Sequence, residues 1–218
     1  MNLATTVVSP NKGVTFTDTP EGFSAIKSED CAAVVWRRRP LAEFQKWIDD
    51  LPSEALPKAR LITKTEWTRD ALREVIVGDG QHDSEERELL ADDAAALATL
   101  FAQVTQAPYV RLRLDVVTTN ACRRFHIDAL TARLVCTYRG TGTQFGHSQD
   151  GEDPTDITTV PTASPIVLRG TEWPARPDPG LLHRSPPIEG TGETRLLFVV
   201  DPIFDLDEAQ DQERVTLH

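Results

Sequence analysis

Residues 109–117 read YVRLRLDVV, and Val110, Leu112, Leu114 and Val116 alternate there with Arg111, Arg113 and Asp115. A period of two is the signature of a strand with one buried face. Downstream, RFHIDALTARLVCTYRG (124–140), SPIVLRGTEW (164–173), PGLLHRSPP (179–187) and ETRLLFVVD (193–201) are further β-like segments, separated by Gly, Pro, Asp and Thr clusters. So many strands in about a hundred residues point to a barrel or a double-sheet jelly roll.

Upstream of Pro108 the period changes. In PLAEFQKWIDDL (40–51) the residues Leu41, Phe44, Trp47, Ile48 and Leu51 recur at three- and four-residue spacing behind a first-turn Pro40. From Ser84 to Gln106, Leu90, Ala94, Leu97, Phe101 and Val104 keep the helical period, and Asp83 with Glu86 resembles a capping box. EWTRDALREVIV (66–77) reads as a shorter helix closed by Gly78 and Gly80. The expected organisation is therefore α+β, mainly β. Residues 1–107 form a mainly helical layer, 108–204 the β core and 205–218 an acidic tail, all within one integrated domain. GHSQDGEDPTDITTVPTAS (146–164) is polar, with few large apolar groups, and reads as a long loop suited to a lid.

Composition narrows the function classes. With 34 acidic against 23 basic side chains the net charge is −11, which repels phosphate backbones and anionic lipid surfaces; no nucleic-acid and no membrane partner is expected. Against that charge, Arg37, Arg38 and Arg39 read as a solvated face. Three cysteines, Cys31, Cys122 and Cys136, do not make a disulfide framework. The opening MNLATTVVSPNKG has no charged n-region followed by an apolar core, and no run approaches the ~18 apolar residues of a membrane span. A soluble, cytoplasmic protein is expected.

The chemistry-bearing residues sit on the β segments. His126 and Asp128 in RFHID lie two apart, which on an extended chain puts both on one face about 6.6 Å apart. His183 lies on a later strand, and two imidazoles with one carboxylate are the ligand set of the open iron site that leaves positions for dioxygen and a co-substrate. Arg195 opens the strand after the turn-like PPIEGTGE (186–193), where a guanidinium would hold a carboxylate bidentately. Each residue also has a plainer reading. His126 and Asp128 suit a solvated strand face, His183 a hydrogen-bonded core position, and Arg195 a strand-end pair with Glu189 or Glu193. Cys122, four before His126, would favour a closed zinc site, although a straight strand holds the two about 13 Å apart. Arg133, Tyr138 and Trp173, the last near Arg169 and Arg176, are pocket-lining or packing residues; His82 and His147 lie in polar loops.

HIDALTARLVCTYRGTGTQF (126–145), with Gly140, Gly142, Thr143 and Phe145 at its turn, resembles the opening of the catalytic core of Fe(II)/2-oxoglutarate-dependent dioxygenases. LLHRSPPIEGTGETRLLFVVD (181–201) looks like the closing half of that core. More narrowly, 125–144 and 183–197 resemble a bacterial family of unknown function, DUF1826-like. The resemblance covers roughly 109–201 and implies a double-stranded β-helix (jelly-roll, cupin-like) core. It also implies iron held by His126, Asp128 and His183, with 2-oxoglutarate anchored by Arg195, in a hydroxylase-type oxidoreductase acting on an unidentified small-molecule or protein substrate. The alternatives are a zinc-binding jelly roll for metal storage, sensing or delivery, with Cys122 as an added ligand, and a non-catalytic interaction domain.

Overall fold

The computed structural model describes residues 7–8, 12–78, 84–148, 152–174 and 180–207. Its strands are β1 (Val7–Val8), β2 (Val14–Thr17), β3 (Ala33–Trp36), β4 (Ala59–Lys64), β5 (Tyr109–Val117), β6 (Ala132–Arg139), β7 (Gln144–His147), β8 (Thr158–Thr159), β9 (Pro165–Arg169), β10 (Leu181–Arg184) and β11 (Arg195–Ile203). The helices are α1 (Ala42–Asp50), α2 (Thr68–Ile76) and α3 (Ser84–Thr105), with 3-10 turns at Pro20–Lys27 and Thr65–Trp67. The chain is mixed α and β, mainly sheet.

β11 organises the molecule. Its RLLFVVDPI is almost continuously apolar and every residue is buried, because the strand runs between β5 and β6 and is covered on both faces. Leu196, Phe198 and Val200 join a core with Leu112 and Leu114 of β5 and with Phe44, Ile48, Leu90, Leu97 and Phe101 of the helices. Leu197 and Val199 point the other way, into a second core with Val135, Ile166, Phe145, Val160 and Leu181. The main sheet, ordered β1-β2-β3-β9-β6-β11-β5-β4, therefore lies between a helical layer and a small sheet ordered β10-β7-β8. An antiparallel bridge between His126 and His183 extends the small sheet at β10. The odd-numbered residues of β11 face the small sheet.

One sequence expectation is extended and one corrected. The first hundred residues are mainly helical and also supply strands: β2 and β3 extend the main sheet at one edge and β4 closes the other. VTFT and AVVW are four residues each, too short to display a period, and Ala33, Val34 and Val35 are all buried, which erases the alternation. The polar stretch 146–164 is no free lid where it is described. Gly146 and His147 belong to β7 and Thr158–Thr159 form β8, while Val160, Ala163 and Ser164 are buried. Backbone bonds from Val160 N–H to Thr143 O (2.9 Å) and Ala163 N–H to Thr137 O (2.7 Å) fasten it to the β core. The capping residue Asp83 and the closing Gly80 lie outside the described residues, as does all but the first three residues of the acidic tail.

Candidate metal centre

His183 sits within β10, opposite Phe145 of β7, and its backbone exchanges two 3.0 Å hydrogen bonds with His126. That exchange fixes the two imidazoles side by side, ring centroids 4.5 Å apart. Asp128 is not on a strand; the chain leaves the bridge at His126 and turns. The turn is held by backbone bonds from Thr171 N–H to Asp128 O (2.9 Å), Glu172 N–H to Leu130 O (3.1 Å) and Gly170 N–H to Thr131 O (2.9 Å). Gly170 allows this approach: a Cβ there would lie 1.9 Å from Leu130 O.

One donor atom from each of His126, Asp128 and His183 falls within 4.8 Å of the others. Asp128 Oδ2 lies 3.1 Å from His183 Nε2, and Oδ1 lies 3.5 Å from His126 Nε2. His126 Nδ1 contacts Arg124 O at 2.8 Å; donation to that carbonyl places a proton on Nδ1 and makes Nε2, which faces Asp128, the nitrogen available to a metal. Asp128 Oδ2 is buried without a well-aligned hydrogen bond. Two imidazole nitrogens beside a carboxylate with one oxygen in need of a partner suit a divalent cation. Burial alone would raise the Asp128 carboxyl, but hydrogen bonds with His126 and His183 and the charge of Arg133 hold it well below the usual carboxylate range. The carboxylate is thus in its ligating form throughout the physiological range.

Arg133 ties this carboxylate to the main sheet. Nη1 donates to Asp128 Oδ1 at 2.7 Å, while Nε and Nη2 donate to the two oxygens of Asp201 at 2.6 and 2.9 Å. Asp201 on β11 went unread in the sequence; its signal was parity, since it stands six residues after Arg195 on the same face.

Arg195 is fully buried on the face of β11 that carries Leu197 and Val199. Nε donates to Thr141 O at 2.6 Å, and neither Nη1 nor Nη2 has a partner. The alternative pairing with Glu189 or Glu193 does not form. Glu193 accepts from Thr141 N–H (2.6 Å) and Oγ1 (3.0 Å), and Glu189 accepts from Asn120 at 2.9 Å. Burial pushes the Arg195 guanidinium down to about 10, with Glu193 opposing, so at neutral pH it remains a cation. An enclosed cation with two bare amino groups fits an incoming carboxylate.

The remaining candidates fall elsewhere. Cys122 is exposed and is not among the three residues whose donors converge. Tyr138 points into the helix-side core, donating to Asp93 Oδ2 at 2.6 Å. Arg38 is no solvated residue: it forks onto Asp93 at 2.6 and 2.7 Å, whereas Arg37 stays in an exposed pair with Asp18. Trp173 packs under Arg169, 4.8 Å from guanidinium to ring centre, and His147 contacts the Lys12 carbonyl. His82 and Arg176 lie outside the described residues. Among the described residues no helix is long and apolar enough to cross a membrane.

Residues 17–201 match the family described as "Protein of unknown function (DUF1826)". No curated protein matches the sequence. Among solved structures, the rice dioxygenase for auxin oxidation is similar at 12% identity, with 86% of this chain and 79% of that chain covered and a TM-score of 0.53. At that similarity the two chains share a fold. The Arabidopsis thaliana protein of the same name, in a 2-oxoglutarate complex, follows at 11% identity, 86% and 88% coverage and a TM-score of 0.49. A Pseudomonas putida prolyl-4-hydroxylase has 12% identity, 85% and 98% coverage and a TM-score of 0.44.

Proposed function

We propose that this chain, which belongs to the DUF1826 family of proteins of unknown function, is a non-haem Fe(II)/2-oxoglutarate-dependent dioxygenase-like oxidoreductase of the hydroxylase type, built on a double-stranded β-helix. The observation that carries the reading is Arg195, a buried cation whose Nη1 and Nη2 lack partners and which lies on the face of β11 that carries Leu197 and Val199. A metal store has no use for such a cation, and an unpaired buried charge is costly to keep. The fold shared with the rice dioxygenase agrees with the reading. The zinc alternative lacks support from its proposed extra ligand, since Cys122 is outside the converging set.

In this reading His126 Nε2, Asp128 Oδ2 and His183 Nε2 hold Fe(II), and the Arg195 fork receives the distal carboxylate of 2-oxoglutarate. Held there, Fe(II) would bind and activate dioxygen, the oxidant, and 2-oxoglutarate would supply electrons for its reduction. The chain contributes geometry and an apolar surround: Arg133 holds the Asp128 carboxylate with Oδ2 toward His183, and Phe145, Leu197 and Val199 pack together as a core on that side of the sheet. The free thiols of Cys31, Cys122 and Cys136 fit a cytoplasmic location. The test is anaerobic addition of Fe(II) and then 2-oxoglutarate, watching for the visible metal-to-ligand charge-transfer band of the chelate. Absence of the band would sink the reading.

A further inference from the structure

On β5, Leu112 and Leu114 face the helices, so Arg111, Arg113 and Asp115 face the side on which β11 carries Val199 and Asp201. Arg113 stands directly opposite Arg60 of β4. Like charges in that relation destabilise a strand pair unless something anionic is shared between them. The available carboxylates do not suffice. Arg113 Nη2 lies 3.5 Å from Asp201 Oδ2 and Nη1 lies 3.7 Å from Asp115 Oδ2, both longer than the roughly 2.7–2.9 Å of a charge-assisted bond. Asp201 cannot come closer to Arg113 without loosening Arg133, which occupies both of its oxygens. Burial pushes the Arg113 guanidinium down, and Arg133 and Arg60 add to that effect against Asp201 and Asp115.

This concentration of arginine stands out in a chain of net charge −11, so general attraction of anions does not explain it. It also touches the metal centre. The Arg133 guanidinium that holds Asp201 donates through Nη1 to Asp128 Oδ1. A group bound at Arg113 is therefore linked to the metal-binding carboxylate through one aspartate and one arginine. With Asp128 committed to a cation, the remaining charges around Arg113 favour an anion.

We propose that Arg113, with Arg60 beside it, is a substrate subsite for an oxyanion, a carboxylate or phosphate group, which would make the substrate an anionic molecule presented to the metal centre by that end. The assignment rests on the dioxygenase reading for the word substrate; the oxyanion site itself does not.

The test uses 15N-labelled, Zn(II)-loaded protein and reads the arginine Nε–H signals, with inorganic phosphate in one arm and acetate in the other. Saturable shifts are expected at Arg113 and Arg60, with no matching response at Arg37 and Arg69, which sit in exposed surface pairs. Arg113→Ala should weaken binding, read at Arg60, by roughly ten- to a hundredfold, and Arg113→Lys should recover part of it. Arg60→Ala removes an exposed side chain and gives a second variant free of folding effects. The tighter of the two anions identifies the group. If Arg113 moves no more than Arg37 and Arg69 with either anion, or if Arg113→Ala binds like the parent, the proposal is overturned. Titration of 2-oxoglutarate, read at Arg195 in the same sample, judges the dioxygenase reading separately: failure there with an intact Arg113 response removes the word substrate and leaves the oxyanion site standing.

Discussion

Arg133 Nη1 donates to Asp128 Oδ1 at 2.7 Å, and this bond fixes the carboxylate so that Oδ2 lies 3.1 Å from His183 Nε2. Arg133→Ala should therefore weaken Zn(II) or Co(II) binding by roughly ten- to a hundredfold, the usual range for groups that orient a ligand. Arg133→Lys should fall between, because it keeps the charge and loses the fork. Metal titration alongside circular dichroism separates loss of orientation from loss of fold.

Removing a ligand should do more. His126→Ala, Asp128→Ala and His183→Ala should each lose most Fe(II) or Zn(II) binding while the fold remains, and Cys122→Ser should bind like the parent, because Cys122 is outside the converging set. Calorimetric titration measures all four. Three ligand variants with parental affinity would discard the site.

At Arg195 affinity and stability should move in opposite directions. Arg195→Ala should weaken 2-oxoglutarate binding by roughly ten- to a hundredfold with metal affinity intact. Arg195→Met fills similar space without a charge, and should raise the melting temperature of the ligand-free protein while abolishing 2-oxoglutarate binding, since it relieves an unpaired buried cation. Thermal unfolding with and without 2-oxoglutarate reads both effects.

Gly170→Ala should disturb the metal centre without touching a ligand. The added methyl meets Leu130 O at 1.9 Å and Asp128 O at 2.7 Å, both backbone atoms that cannot swing aside. The turn carrying Asp128 must shift, so metal affinity should drop in the same titration while the ligand set is unchanged.

Stability at high pH should track Cys136. Burial raises its thiol from 9.0 to about 12, so the folded state keeps a proton that the unfolded state releases. The contribution is complete below pH about 9 and lost as pH rises toward 12, amounting to at most about 4 kcal/mol. Cys136→Ala should lessen the decline between pH about 9 and 10, leaving the part due to Cys31, also raised by burial; Tyr138 adds its own above that range. Urea unfolding across that range measures it.

Much of the fold was legible because periodicity is local. The alternation in YVRLRLDVV and the helical spacing of Leu90, Ala94, Leu97 and Phe101 each lie within one element, and the structure forms β5 and α3 where they predict. The pairing of His126 and Asp128 with a distant His183 and Arg195 was legible through residue types and spacing, as chemistry awaiting a geometry. Tertiary structure decided the rest, since it depends on contacts no local period encodes. Four-residue strands buried on both faces, β3 above all, carry no alternation to read. The turn at Asp128 depends on a glycine forty-odd residues away, and the Arg133–Asp201 clamp joins strands far apart in the chain. A sequence places a charge on a face; only the folded chain brings Arg133 onto two carboxylates and leaves Arg195 with none, because burial and partnership arise from residues that meet across sheets.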